Sequence, residues 1–231
     1  IKLLKMKKAT ILLLVLATTF ACENEKYNKM YNSWKTEMIE INTGHTEALS
    51  ILDRFKQKLD GHKKSLKDFT TLIETETTNG TKSDMKLEED ILKKANLNIK
   101  KHEHFSFFLN NLSALQGVFE DKPFELYSIP NESDIKKFNS LKEATSFWIT
   151  EKDNINAGHN KALSIVSDLE NHIHNHQKAI KEFTQKIGNE PKDKKAMTEL
   201  ENNYNSNKKK HNHFVSFLGN LKQVQQEFEG K

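Results

Sequence analysis

The chain has 231 residues and a mass of 26.8 kDa; 35% of it is apolar and 29% charged, with 8 glycines and 3 prolines. Even with glycine added, that apolar share falls below the usual 45–50% or so, which excludes a thick α/β globule and leaves little turn punctuation for a many-stranded fold. The formal charge of +4 belongs to the N-terminal segment: Lys2, Lys5, Lys7 and Lys8 precede Cys22 with no acid among them, and the other 32 basic groups balance 32 acidic ones. A body of zero net charge has no global field to attract phosphate.

Residues 1–21 read as an export signal. Lys7-Lys8 precedes an apolar run from Ala9 to Leu16 and then small residues up to Ala21. The run is shorter than the ~20 residues that a bilayer span needs, and Met6, just before the lysines, reads as the true start. Cys22 is the only cysteine, so no disulfide can form within the chain. Thr19-Phe20-Ala21-Cys22 resembles the N-terminus of a bacterial lipoprotein, in which the cysteine after the cleavage site is acylated and becomes the first residue. Lipoproteins usually carry Leu where this chain has Thr19. Thr19 and Ala21 also fit ordinary signal cleavage, which would leave Cys22 a free thiol. The Cys-Glu-Asn-Glu start and the Lys- and Asn-rich composition resemble lipoproteins of Bacteroidota-type bacteria. The resemblance implies a palmitate-type anchor on Cys22, a polar tether over residues 22–32, and a place in the cell envelope. The outer membrane is the expected site, on its periplasmic or surface face.

The rest is an internal duplication. Trp34 to His45 aligns with Trp148 to His159 at an offset of 114, and Lys100 to Phe105 with Lys209 to Phe214 at an offset of 109. Identity is 15 of 36 positions for 34–69 against 148–183 and 14 of 25 for 98–122 against 207–231, far above chance. The change of offset falls between the matched blocks, where a hairpin loop belongs. Copy 1 spans 33–122, a linker bounded by Pro123 and Pro130 spans 123–133, and copy 2 spans 134–231.

Each copy reads as two long helices. Trp34, Met38, Ile41, His45, Ala48, Leu52, Phe55, Leu59, His62, Leu66 and Phe69 step by four and three, as do their counterparts from Trp148 to Phe183. The second helix of copy 1 reads Ile91, Ala95, Asn98, His102, Phe105, Leu109, Leu112, Gln116, Phe119; that of copy 2 reads Leu200, Tyr204, Asn207, His211, Phe214, Leu218, Leu221, Gln225, Phe228. Asn79-Gly80 breaks the first hairpin, and Gly188 with Pro191 the second. One hairpin cannot bury its own seam. The expected fold is therefore all-α: two tandem hairpins covering each other as an antiparallel four-helix bundle, with an end-to-end arrangement as the alternative.

Four histidine pairs recur between copies: His45/His159, His62/His176, His102/His211 and His104/His213. The first three sit on the seams, as do Asn98/Asn207 and Gln116/Gln225. His45, Asn98, Gln116, His159, Asn207 and Gln225 read as buried polar layers that fix register at some cost in stability, with Asn98 placed opposite His62. The competing reading is a zinc or copper site. Its candidate ligands are His62, His102 and His104, and, in the second copy, His172, His176, His211 and His213. His172 and His176 stand at i, i+4, but His102 and His104 lie on opposite sides of a helix. Gly44 and Gly158, each just before a seam histidine, read as a local kink or the close approach of a neighbouring helix, the alternative being room beside the histidine for a ligand. Trp34 and Trp148 read as end caps of the core.

Nothing in the sequence supplies a catalytic device. It lacks Cys-x-x-Cys-His, Gly-x-Ser-x-Gly and any phosphate-binding glycine loop. The expected function is a non-enzymatic, lipid-anchored bundle that binds an envelope protein or small ligand, self-associates or plays a structural part, with no cofactor and no nucleic acid. The alternative is a transition-metal-binding envelope protein.

Overall fold

The computed structural model describes the backbone of residues 2–78 and 85–229 and the side chains of 24–75 and 85–229. The protein is all-α. Helix α1 spans Lys2–Thr78, α2 Met85–Val118, α3 Leu141–Ile187 and α4 Lys194–Glu229, with a single 3-10 turn at Glu132–Asp134 and no strand among the described residues. The Asn79-Gly80 break and the side chain of Cys22 lie outside the described residues. No described helix is long and apolar enough to cross a membrane.

The helix ends follow local chemistry. Ser140 starts α3: its hydroxyl accepts from the Glu143 N–H at 3.2 Å, while the Glu143 carboxylate accepts from the Asn139 N–H, a reciprocal arrangement close to a capping box. Asp193 starts α4, its carboxylate accepting the Ala196 N–H at 2.8 Å. After α2 the chain turns through Asp121 in the left-handed region, φ 58, and the Lys122 N–H returns to the Gly117 carbonyl at 3.0 Å; Pro123 then prevents further helix.

The chain forms two compact units, one from residues 1–46 and 174–215, the other from 47–173 and 216–231. In the first, α1 packs against α3 and α4 around Tyr27, Met30, Trp34, Ile41, Ile180, Phe183, Ile187, Met197 and Leu200. Trp34 meets Phe183 edge-on at 4.7 Å, and its indole N–H donates to Thr184 Oγ1 at 3.0 Å. The stretch expected to be a tether is partly core here. Tyr27 and Met30 are buried, and the Tyr27 hydroxyl donates to the Ile187 carbonyl at 3.0 Å. Heptad-spaced apolar side chains continue the seam N-terminal to Trp34, which a reading begun at the repeat does not include.

In the second unit all four helices meet. One core gathers Leu66, Phe69, Ile73, Ile91, Ala95, Ile99, Phe138, Ala144, Trp148 and Ile155. Phe55, Phe108 and Phe228 form a second aromatic knot, with Phe108 and Phe228 stacked at 3.9 Å. Helix directions follow from contacts of this kind. α1 opposes α3, since Phe69 meets Trp148 and His62 meets His159. α2 runs parallel to α3, because Phe105 stacks on His159 and Phe119 on His172. Copies 1 and 2 thus lie side by side in this unit, up-down then down-up.

Parallel α2 and α3 require a returning connection, and residues 119–140 supply it. This stretch is packed rather than loose: Ile129, Ile135 and Phe138 are buried. Two asparagines of α2 hold it by both amide atoms. Asn111 donates to the Tyr127 carbonyl at 2.8 Å and accepts the Tyr127 N–H at 2.7 Å; Asn96 does the same for Phe138 at 3.1 and 2.7 Å. Each side chain satisfies one residue's donor and acceptor, as a strand neighbour would.

The seams of α1 and α3 follow the expected positions. Those of α2 and α4 drift. Past Phe105 the buried apolar side chains are Phe108, Leu112, Leu115 and Val118, and past Phe214 they are Phe217, Leu221 and Val224. A straight helix advances about 20° per heptad relative to a strict seven-residue repeat, which moves Leu109, Gln116, Leu218 and Gln225 to the flank.

Candidate functional site

Each unit contains one cluster of three histidines and one phenylalanine, built from corresponding positions of the repeat. In the second unit His62 of α1 and His159 of α3 flank Phe105 of α2, and His102, one turn before it, meets Trp148 at 6.0 Å. His159 Nε2 lies 2.8 Å from His62 Nδ1, and His159 Nδ1 lies 2.8 Å from the Ile155 carbonyl. Phe105 stacks on His159 at 4.4 Å and on His62 at 5.1 Å. In the first unit His45 of α1, His176 of α3 and His211 of α4 surround Phe214. His45 Nε2 lies 2.7 Å from His176 Nδ1, and Phe214 lies 4.7 Å from His45 and 4.9 Å from His176. The same atoms pair in both clusters.

The tautomers in the second unit are fixed by the carbonyl. A carbonyl only accepts, so His159 Nδ1 carries its hydrogen and donates to Ile155. In the neutral ring His159 Nε2 is then an acceptor, so His62 Nδ1 donates to it and His62 Nε2 is left as a bare lone pair. That nitrogen has no hydrogen-bond partner, nor does His102 Nδ1. In the first unit His176 Nε2 and His211 Nδ1 are the corresponding unpartnered atoms, and His45 Nδ1 has no partner either.

The surroundings favour the neutral rings. Burial, reinforced by the charge of His159 and then His102, lowers the His62 pKa to about 3. Burial first and then His211 lowers His45 to about 4, and burial with His45 and His211 lowers His176 to about 4. His102, His159 and His211 are also lowered, chiefly by burial. Two effects oppose this: the charge of Glu151 acts on His102, and those of Glu37 and Glu40 on His211. Glu37 and Glu151 correspond in the repeat, in Trp34-Lys-Thr-Glu37 and Trp148-Ile-Thr-Glu151. That shared glutamate is the sequence signal that a search of the histidines alone misses.

The candidate residues divide accordingly. His45, Asn98, His159 and Asn207 are buried polar side chains, as is His211. Gln116 is half-buried and donates to Asp168 at 3.1 Å, and Gln225 turns outward to Glu229 at 3.0 Å, so neither forms a core layer. Asn98 donates to the Lys94 carbonyl of its own helix and Asn207 to that of Asn203. The expected Asn98–His62 bond is replaced by pairing of His62 with His159 of the other copy. Of the candidate metal ligands, His62 and His102 share one cluster and His176 and His211 the other. His104 and His213 are outside these clusters, half-buried, and His172 is exposed and stacks on Phe119 at 4.2 Å. Among the described residues no three His, Cys, Asp or Glu side chains are placed to hold a metal ion.

Gly158 explains itself by the ring beside it. A Cβ there would stand 3.2 Å from Phe105 Cε1 and 3.8 Å from Leu109 Cδ2, so the missing side chain admits the Phe105 ring that stacks on His159. The room beside the histidine is filled by the protein. A separate surface groove of about 240 Å³ in the second unit is lined by Lys63, Leu66, Lys67, Thr70, Lys152, Ile155 and Asn156. Its lining has no histidine, cysteine or carboxylate. No known protein family, curated protein or solved structure matches the chain.

Proposed function

We propose that the chain is a non-catalytic helical-bundle lipoprotein of the bacterial envelope, held to the membrane through Cys22 and serving a structural or partner-binding role. The observation that carries the non-catalytic reading is the use made of the repeated histidines. In each unit two of them hydrogen-bond to each other at 2.7–2.8 Å inside the helix seam under a phenylalanine ring. A general base needs reach to a substrate proton, and in these paired rings the nitrogens not used in the pair are buried. The anchor rests on the cysteine that closes the apolar N-terminal run. Four long helices on such an anchor suit contact with another envelope protein, and the body's balanced charge argues against nucleic acid.

The anchor is tested by metabolic labelling with an alkyne-tagged palmitate and by detergent phase partitioning. The wild-type chain takes up label and partitions with membrane, and Cys22→Ser loses both. A wild-type chain that is unlabelled and soluble overturns the reading.

A further inference from the structure

The surface groove of the second unit has an equivalent position in the first, because α1 and α3 exchange places in the repeat. Its apolar lining is Leu66 of α1 and Ile155 of α3, both buried, with Thr70 beside them. The corresponding residues of the first unit are Ile180, Ile41 and Thr184. There the position is filled: Met38 packs against the core, and the Thr184 hydroxyl lies 3.1 Å from the Met38 sulfur. In the second unit Lys152 stands in place of Met38, and its ammonium pairs with Glu74 at 2.6 Å. Glu74 in turn stands where the other copy has Gly188. An apolar side chain that covers the threonine in one copy is thus replaced by a cation engaged with Glu74 in the other, and about 240 Å³ stays open.

The hydrogen bonding around the two threonines differs in the same sense. The Trp34 indole N–H donates to Thr184 Oγ1 at 3.0 Å. The indole N–H of Trp148, its counterpart, is buried without a partner, and Thr70 gives its hydroxyl to the Lys67 carbonyl. The charges differ as well. Lys63 stands where the other copy has Gln177, while Lys67 is matched by Lys181. Lys63 Nζ donates to Asn160 Oδ1 at 3.1 Å, and no carboxylate lines the groove. Two of the three lysines around it therefore belong to this unit alone.

An apolar floor is opened and positive charge is added at one place, and the two together set the chemistry of what fits. Lys63 and Lys67 stand at i, i+4 on one face of α1 and offer compact point charges on apolar stems. A bare anion would leave Leu66 and Ile155 against water, and a neutral hydrocarbon would leave the lysines unused. Pockets for drug-sized ligands span about 300–1,000 Å³, so this groove suits a smaller molecule. We propose that it binds a small amphiphilic carboxylate of the short- to medium-chain fatty-acid class. The alkyl chain lies over Leu66 and Ile155, and the carboxylate sits between Lys63 and Lys67. The site depends on neither the lipid anchor nor the histidine pairs.

The test titrates octanoate, below its micelle concentration, into the full chain at neutral pH, followed by calorimetry and methyl NMR. One saturable site per chain is expected, with shifts at Leu66, Thr70 and Ile155 and none at Ile41, Ile180 and Thr184. Lys152→Met installs the side chain that the repeat already houses at Met38, and is expected to abolish binding with the fold intact. Lys63→Gln/Lys67→Gln is expected to weaken binding about tenfold, and octanol and acetate to bind at least about tenfold more weakly than octanoate. The proposal is overturned by the absence of saturable binding, by shifts confined to residues outside the groove, or by undiminished binding to Lys152→Met. It is equally overturned if octanol or inorganic phosphate binds as tightly as octanoate, or if a short oligoglutamate displaces octanoate at equal affinity, which would assign the groove to an acidic protein segment.

Discussion

Acidification should unfold this protein well above the range in which carboxylates titrate. The folded chain holds His45 and His176 at about 4 and His62 at about 3, whereas the unfolded chain returns them to about 6.5. The unfolded state therefore binds more protons below about pH 6.5. Stability is at its full value above that pH and falls as pH drops towards the folded values. Repulsion between paired rings only lowers their folded values further, so each of these three rings counts as one proton that the unfolded chain takes up and the folded chain does not. From pH 6.5 to pH 5, at about 1.36 kcal/mol per pH unit, each ring costs about 2 kcal/mol and the three together about 6. A stability of about 5–15 kcal/mol would be reduced by a large fraction. Urea unfolding of metal-free protein, followed by helical circular dichroism at pH 8, 6.5 and 5, measures it. With a slope of about 3 kcal/mol/M, the midpoint should be nearly constant from pH 8 to 6.5 and then fall by roughly 2 M. The carboxylates of Glu120, Glu132 and Glu199 are held low by neighbouring lysines, so they titrate below this window. A midpoint unchanged between pH 8 and pH 5 would refute burial of neutral histidine pairs.

Glycine-to-alanine changes should separate open from occupied helix faces by thermal melting: Gly61→Ala and Gly219→Ala, with nothing within 4 Å, each gain up to about 1 kcal/mol. Gly158→Ala should gain less or lose stability, because its Cβ meets Phe105 at 3.2 Å. Asn111→Ala removes both bonds to Tyr127 and should cost about 1–3 kcal/mol, with faster hydrogen exchange at the Tyr127 amide and little change in the helices. Trp34→Phe should cost about 1 kcal/mol more than Trp148→Phe in chemical denaturation, since the Trp34 indole N–H donates to Thr184 while that of Trp148 has no partner.

The parts of this fold that were legible from sequence are those set by local periodicity and repetition. The four helices, both hairpins and the α1 and α3 seams follow from residues spaced four and three apart. Positions late in α2 and α4 were misplaced because a straight helix departs from a seven-residue repeat, putting Phe108 and Leu115 inward in place of Leu109 and Gln116. The partner of each seam histidine was not legible within a hairpin. His62 bonds to His159, 97 residues away, and His45 to His176, 131 residues away, so each pair forms only when helices of different copies meet. Counting from the loops placed Asn98 against His62; Asn98 instead satisfies its amide on the Lys94 carbonyl one turn earlier, a local bond open to any helical asparagine. The connection between copies looked like a spacer from its prolines, yet the α2 asparagines Asn96 and Asn111 dock it along the helix. Glu37 and Glu151 were visible in the repeat but carried no meaning until His211 and His102 were placed near them.

The central claim is that the repeated histidines are neutral, buried and bonded in pairs across the two copies. Long-range 15N correlation of the imidazoles in metal-free full-length protein at pH 8, with detection of nitrogen–nitrogen coupling through hydrogen bonds, tests it most directly. The account predicts coupling between His62 Nδ1 and His159 Nε2 and between His45 Nε2 and His176 Nδ1, with His159 protonated at Nδ1. Absence of both couplings, with all six rings titrating near their ordinary 6.5, would contradict it.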